Sequence, residues 1–492
     1  MTGRLETRAD RLARLKAGAF DLLVAGGGIV GAGIARDAAM RGLKVAIVDE
    51  RDIAFGTSSR SSRLLHGGLR YLAQGRIGLV REASVEKQVV QRIAPNVACP
   101  LPFVFPTYKT EPWPLWKLSV GVRIYDLLCG GRNFGRSGSF GPARTLALAP
   151  GLRAEGLTGS VRYFDGLTND ARLVTDTLRS AANAGAVVMN YCGLVGAERV
   201  SEAWRCRLSD GVSGTDLEVE ARGVANAAGP WAPLLSPEVT LRCTKGVHLV
   251  VDAARLPVKE AVVMAEGPRI LFVIPWGERV IVGTTDTDYE GPLDDIRVDE
   301  ADESYILGVT NACFPDVKLT AADIRGAWAG VRPLVADPNG NPSDISRSHK
   351  ITSPQPGWWD VTGGKLTTYR LMAEQTVDRV FKFLARPRAA CRTAEVTLLD
   401  ASETQFSGIL PPPVSREAVQ HFCRREWALH LDDVMIRRSS WHYYQSDPAS
   451  VAADAVRWMA EELGWDEDTA AREMERYNAA AGIRQKDTGV YA

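Results

Sequence analysis

Apolar residues follow two different periods along this chain. Residues 21–25 (DLLVA) form an uninterrupted apolar run, as in a strand buried on both faces of a parallel sheet. Glycines follow, then a helical stretch of small residues (Ala32, Ala35, Ala38, Ala39) that stops at Gly42, and a second strand over 44–49 (KVAIVD). Together they make a strand–turn–helix–strand unit of βαβ size. Residues 51–70, rich in Ser, Arg and Gly, predict a loop and a short helix, and 79–94 predict a longer one. Pro95, Pro100, Pro102 and Pro106 break the next stretch into a loop and short strands. A helix is expected over 170–187, strands over 221–228, 246–252, 270–276 and 279–284, and a helix from Arg370 to near Leu384. The aperiodic, proline-bearing tract 386–414 predicts a linker. Three helices should follow it, one after Ser415, one from Ser450 to Gly464 and one from Asp466 to Gly482, with capping residues at their ends. Near the N-terminus, Leu5, Leu12 and Leu15 have amphipathic-helix spacing.

A chain of 492 residues is too long for one core and predicts two or three domains. Lys+Arg and Asp+Glu number 59 each, so the basic excess of a nucleic-acid binder is missing and no nucleic-acid partner is expected. None of the eight cysteines forms a C-x-x-C pair, which argues against a zinc site, any other metal centre or a disulfide framework and favours a reducing cytoplasm. No apolar run approaches the ~18 residues of a membrane-spanning helix, and the N-terminus lacks a secretory apolar region. Any membrane contact is therefore expected to be peripheral.

Residues 26–31 (GGGIVG) satisfy G-x-G-x-x-G between the first strand and its helix. Gly26 permits the tight turn, Gly28 lets backbone approach a pyrophosphate, and Gly31 lets the helix pack on the sheet. The helix N-terminus offers N–H groups to phosphate. Asp49, 23 residues after Gly26, ends the second strand where a carboxylate can accept from an adenosine ribose, with Glu50 beside it. The turn predicts a dinucleotide without choosing between FAD and NAD.

The segment 56–71 (GTSSRSSRLLHGGLRY) resembles the FAD-dependent glycerol-3-phosphate dehydrogenases, within the wider D-amino-acid-oxidase-like flavoproteins. Residues 169–173 (NDARL), 226–231 (NAAGPW), 245–250 (KGVHLV), 283–286 (GTTD), 330–334 (GVRPL), 363–370 (GGKLTTYR) and 422–438 resemble the same family in order. The resemblance implies FAD, an α/β (overall α+β) fold, and a Rossmann-like FAD-binding domain interleaved with a β-sheet substrate domain, followed by a C-terminal helical domain. The expected boundaries are 1–80, 155–235 and 350–386 for the FAD-binding domain, and 81–154 and 236–349 for the substrate domain. A linker (387–414) and the helical domain (415–492) complete the division. The C-terminal region is shorter than is usual in the family.

Thr57, Ser58 and Ser59 supply short hydroxyls for a pyrophosphate or ribityl chain, Gly67-Gly68 and Gly363-Gly364 let backbone pass close to a flat ring, and Gly229 is a further cofactor-binding position. Lys365, followed by Leu366 and Thr367, places a cation near the flavin. For substrate, the resemblance implies Arg70, Tyr71, Arg332 and Lys365, a set suited to a phosphate dianion. His66 is favoured as the base that takes the hydroxyl proton, with His349 second; His248 is expected to support the sheet. If 62–66 is helical, Ser62 shares a face with His66 and orients it or the substrate. Arg347 is a further anion-site candidate.

The function implied is oxidation of sn-glycerol 3-phosphate to dihydroxyacetone phosphate, with hydride passing to flavin N5 and electrons to quinone or oxygen. Another polyol phosphate such as erythritol phosphate, an amine or amino-acid oxidase, and a silent FAD-binding protein are the alternatives. The aromatic–basic cluster Trp113, Trp116, Lys117, Tyr108 and Lys109 suits either a bilayer surface on the inner face of the cell membrane or a packed domain edge. The resemblance also allows a homodimer.

Overall fold

A computed structural model describes residues 6–73, 75–110, 112–130, 133–267, 269–335 and 349–481, and of Arg70 and Ala73 only the backbone. Arg347 and Gly482 lie outside the described residues. The dinucleotide turn follows the interior strand Leu22–Ala25 of a six-stranded sheet ordered His349–Thr352, Trp358–Gly363, Val224–Asn226, Leu22–Ala25, Val45–Val48 and Val187–Met189. Its pairings are parallel except for the antiparallel edge strand His349–Thr352. Such strands are covered on both faces, which explains the unbroken apolar run at 21–25. The helix Ile29–Met40 packs between Asp170–Asn183 and Tyr369–Phe383 in the core over this sheet. Its small residues permit that approach: a Cβ on Gly33 would stand 2.9 Å from the Tyr369 ring.

The second layer is a larger, mainly antiparallel sheet built around the long strands Ala98–Tyr108, Leu157–Thr168, Leu241–Asp252 and Ile324–Val335. Helices Ile77–Ile93 and Leu115–Leu128 bury apolar residues with it in one core, and Glu300–Cys313 joins another. Fold class thus agrees with the expectation from sequence. Several elements differ in extent. The strand expected at 246–252 begins at Leu241, and the helix expected to open after Ser450 opens at Pro448, capped by Asp447 accepting from Ser450 N–H at 3.0 Å. Capping is a side-chain choice, and Pro is well tolerated in the first turn.

Residues 416–480 form a separate core around Phe422, Trp441, Met459 and Tyr477. Charged groups join that core to the layer of the six-stranded sheet. Arg438, fully buried, donates to both oxygens of buried Asp52 at 2.7 and 2.8 Å, and Arg437 Nε donates to Asp52 at 2.6 Å. Arg172 grips buried Glu426 with both terminal nitrogens at 2.5 and 2.8 Å. Within the tract expected to be a linker, Leu398 and Leu399 are buried, and the carbonyls of Thr393 and Val396 accept from buried Arg36. Among the described residues, no helix is long and apolar enough to cross a membrane.

Candidate active site

A cavity of about 620 Å³ runs between the two sheets, a size in the usual range for a bound small molecule. One end is lined by the strand ends and the glycine turn. Gly26 adopts φ +109°, and a Cβ there would lie 2.5 Å from the Ala227 carbonyl. A Cβ on Gly31 would lie 1.9 Å from the Gly26 carbonyl, so helix and turn can close only with glycine at both positions. Gly28 caps the helix without a side chain and, with Ile29 and Val30, opens the positive end of that helix onto the cavity. Asp49 accepts from Gly27 N–H at 2.6 Å and from Arg51 N–H at 2.8 Å. Burial pushes its carboxyl up to about 7 against the pull of those two donors. Glu50 and Gly229 also line this end. Asn226 orders the Gly229 turn by donating to Asp360 at 2.9 Å and to the Ala232 carbonyl at 3.0 Å.

The three adjacent hydroxyls have separate tasks. Ser58 Oγ accepts from Ile29 N–H at 3.0 Å, at the first turn of the helix that follows the glycines. Thr57 donates instead to the Val331 carbonyl at 2.6 Å, tying the loop to the larger sheet, and Ser59 is buried off the cavity wall.

The same cavity is lined by residues from four distant segments: His66, His248, Arg332 and, after Gly363 and Gly364, Lys365, Leu366 and Thr367. Arg332 lies flat across Gly246, where a Cβ would meet its guanidinium at 2.3 Å. Its Nη2 donates to Thr284 Oγ1 at 2.8 Å and its Nη1 to the Thr285 carbonyl at 3.2 Å. Lys365 Nζ stands 4.0 Å from the centroid of the Tyr71 ring, so Tyr71 supports the ammonium from behind. Gly67 and Gly68 adjoin His66 in the chain without lining the cavity, and His349 does not line it either but pairs with Gln375 at 2.8 Å. The Arg70 side chain is outside what the structure describes.

Residues 62–66 are not helical, since Leu64–Leu65 pairs as a strand with Leu157–Thr168, so the shared helical face expected for Ser62 and His66 does not form. Ser62 Oγ instead meets His248 Nε2 at 2.8 Å. His248 does sit in the sheet, stacked 5.3 Å from Trp328, but it also lines the cavity, which its sequence did not signal. Burial, then the charges of Arg332 and Arg63, hold its imidazole well below the usual range, so it stays neutral near pH 7.

A family model described as FAD-dependent oxidoreductase matches residues 21–379, and one described as the C-terminal domain of alpha-glycerophosphate oxidase matches 393–470. The chain belongs to this family of FAD-dependent oxidoreductases. It is 35% identical to glycerol-3-phosphate dehydrogenase 2 of Mycobacterium tuberculosis, over 96% of this chain and 90% of that protein. It is 38% identical to the aerobic glycerol-3-phosphate dehydrogenase of Staphylococcus aureus, over 75% of this chain and 68% of that protein. The glycerol-3-phosphate dehydrogenase from Bacillus halodurans, solved with FAD, superposes with a TM-score of 0.78 at 28% identity, covering 96% of this chain and 97% of that one. The cavity fits the cofactor of the family. A backbone cradle that admits no Cβ, a helix N-terminus for the diphosphate and a carboxylate at the second strand end are the features an FAD needs, and all face one space.

Proposed function

We propose that this protein oxidises sn-glycerol 3-phosphate to dihydroxyacetone phosphate. The observation that carries the reading is that His66, Arg332 and Lys365, far apart in the chain, line the same cavity as the glycine turn. Two fixed cations suit a phosphate dianion better than the single carboxylate of an amino acid. When bound, FAD supplies the acceptor for the two electrons that leave the substrate carbon. His66 takes the hydroxyl proton, while Arg332 and Lys365 hold the phosphate and fix the carbon chain. Asp49, Glu50, Ser58, Gly26, Gly28 and Gly229 hold the cofactor's nucleotide half. The domain division proposed is the one read from the sequence, with the helical region after residue 415 as a third unit.

We also assign the helix Leu115–Leu128 to a peripheral membrane contact that gives access to a quinone acceptor. Trp116, Val120, Ile124 and Leu127 are exposed at helical spacing, Trp116 by 71% and Leu127 by 76%. Lys117 and Arg123 flank this stripe, as on an interfacial helix facing anionic lipid. Tyr108, in contrast, is buried.

Anaerobic bleaching of the bound flavin tests the substrate reading. Glycerol 3-phosphate should reduce it. Reduction by amino acids alone, or by erythritol phosphate in strong preference, would replace the reading with one of the alternatives.

A further inference from the structure

A buried charged cluster stands directly behind His66 and has no part in the cavity. Lys87 is fully buried and donates to Asp165 Oδ1 at 2.9 Å and to the Phe164 carbonyl at 2.8 Å. Tyr125, also fully buried, donates its phenol to the same Asp165 oxygen at 2.5 Å. Gly67 N–H completes the set, donating to the Tyr125 oxygen at 2.9 Å and to Asp165 Oδ1 at 3.3 Å. The fit is close, because a Cβ on Gly67 would lie 2.3 Å from the Tyr125 oxygen and 2.5 Å from Ser84 Oγ. Burial, and then Asp165, push the phenol well above its ordinary range, so its proton stays on oxygen and points to the carboxylate. The oxygen lone pairs are thereby left to accept from Gly67 and, at 3.3 Å, from Lys87 Nζ. On the other side of the same backbone, His66 N–H donates to Thr367 Oγ1 at 3.1 Å, and the Thr367 hydroxyl reaches the His66 carbonyl at 3.3 Å.

We propose that Lys87, Asp165 and Tyr125 are positioning residues, which pin the His66–Gly67 peptide from behind and so set where the His66 imidazole meets the substrate hydroxyl. This rests on the reading above that gives His66 the proton. Two considerations favour positioning over packing. An ion pair this deep costs several kcal/mol of desolvation per ion, and an apolar trio of equal volume would fill the same space at no such cost. Only the polar trio offers an acceptor to Gly67 N–H, which otherwise would be buried without one. The anchoring groups also come from three separate places: helix Ile77–Ile93, helix Leu115–Leu128 and strand Leu157–Thr168. The His66 backbone is thus fixed to the substrate layer on one side and to the GGKLTTYR segment on the other. Misplacing a reacting group by about 1 Å can cost ~100-fold in rate, so loss of this anchor should appear in the chemical step.

The test is Tyr125→Phe, which keeps the ring and removes the oxygen. Anaerobic stopped-flow reduction by glycerol 3-phosphate should show a rate at saturation lowered by about 10- to 100-fold, with half-saturating substrate, FAD content and flavin spectrum unchanged. Lys87→Met should act in the same direction; should it fail to fold, Tyr125→Phe decides alone. A rate at saturation equal to wild type overturns the proposal. So does a fall in rate accompanied by equal losses of substrate affinity and FAD, which is the mark of a merely structural role. If wild-type flavin is not reduced by glycerol 3-phosphate, the substrate reading fails and takes the proposal with it. If wild type is reduced and Tyr125→Phe matches it, positioning alone fails.

Discussion

Arg438→Met probes how the C-terminal helices support the cofactor site. The substitution preserves length and removes three hydrogen bonds, two to Asp52 at 2.7 and 2.8 Å and one from Nε to the Glu426 carbonyl at 2.9 Å. Asp52 stays buried with Arg437 Nε at 2.6 Å and Asn190 Nδ2 at 3.0 Å as its remaining partners. Breaking a buried ion pair by removing one partner costs about 3–5 kcal/mol, and the surviving Arg437 puts this case near the lower end, at about 3 kcal/mol. The effect should reach FAD, because Asp52 lies in the loop that follows Asp49, and Ala54 in that loop donates to the Gly27 carbonyl at 3.1 Å. A tenfold loss of FAD affinity, about 1.4 kcal/mol, is expected. The pH dependence has a definite sign. Burial alone would raise the Asp52 carboxyl, but Arg438 and Arg437 override it and hold it below the usual range. Its stabilisation is present above the ordinary carboxylate value near 4 and is lost as pH falls through the lower folded value. The variant's deficit should therefore be full at pH 7 and shrink in acid. Urea titration followed by released-flavin fluorescence and by tryptophan emission measures both quantities, using the first transition because the chain has more than one core. A first midpoint and an FAD affinity both within about 0.5 kcal/mol of wild type would mean that the pair behaves like an exposed one, and the reasoning would be wrong.

Arg332→Ala should keep FAD and raise half-saturating glycerol 3-phosphate by about 30- to 1,000-fold, equivalent to 2–4 kcal/mol; flavin-reduction titration measures it, and an unchanged value removes Arg332 from the site. His442 is buried against Tyr477 at 2.8 Å, and burial lowers its imidazole from 6.5 to about 4. The folded state then binds fewer protons than the unfolded state between those values, so stability falls as pH drops from 7 to 5 by about 2 kcal/mol through this group. His442→Gln should flatten that slope in urea midpoints at pH 7 and pH 5, and a slope equal to wild type would show that His442 does not carry it. Trp116→Ser with Leu127→Ser should cut co-sedimentation with phosphatidylglycerol vesicles at least tenfold, since each such side chain contributes about 1.5–3 kcal/mol when buried, without changing turnover on a soluble acceptor. Retained vesicle binding would leave the helix as a plain domain edge.

The sequence by itself determined the nucleotide end of the site. Its parts there are local, since strand, turn, helix and second strand follow one another between residues 21 and 49, and G-x-G-x-x-G is a backbone requirement that side-chain identity reveals directly. Gly26 and Gly31 proved to have no room for a Cβ, which is why the motif was legible. The residues proposed to hold substrate were legible only as a set of segments in order, with no indication of which faced which. Tertiary structure alone decided that Ser62 pairs with His248 across 186 positions, because a two-residue strand at Leu64–Leu65 replaced the helix that would have turned Ser62 toward His66. It likewise decided that Thr57 ties down a strand 274 positions away, and that Gly67 leans on Tyr125 and Asp165. Local pattern reports the backbone's needs within one element, whereas a buried hydroxyl, lysine or carboxylate takes its meaning from the partner that folding brings to it.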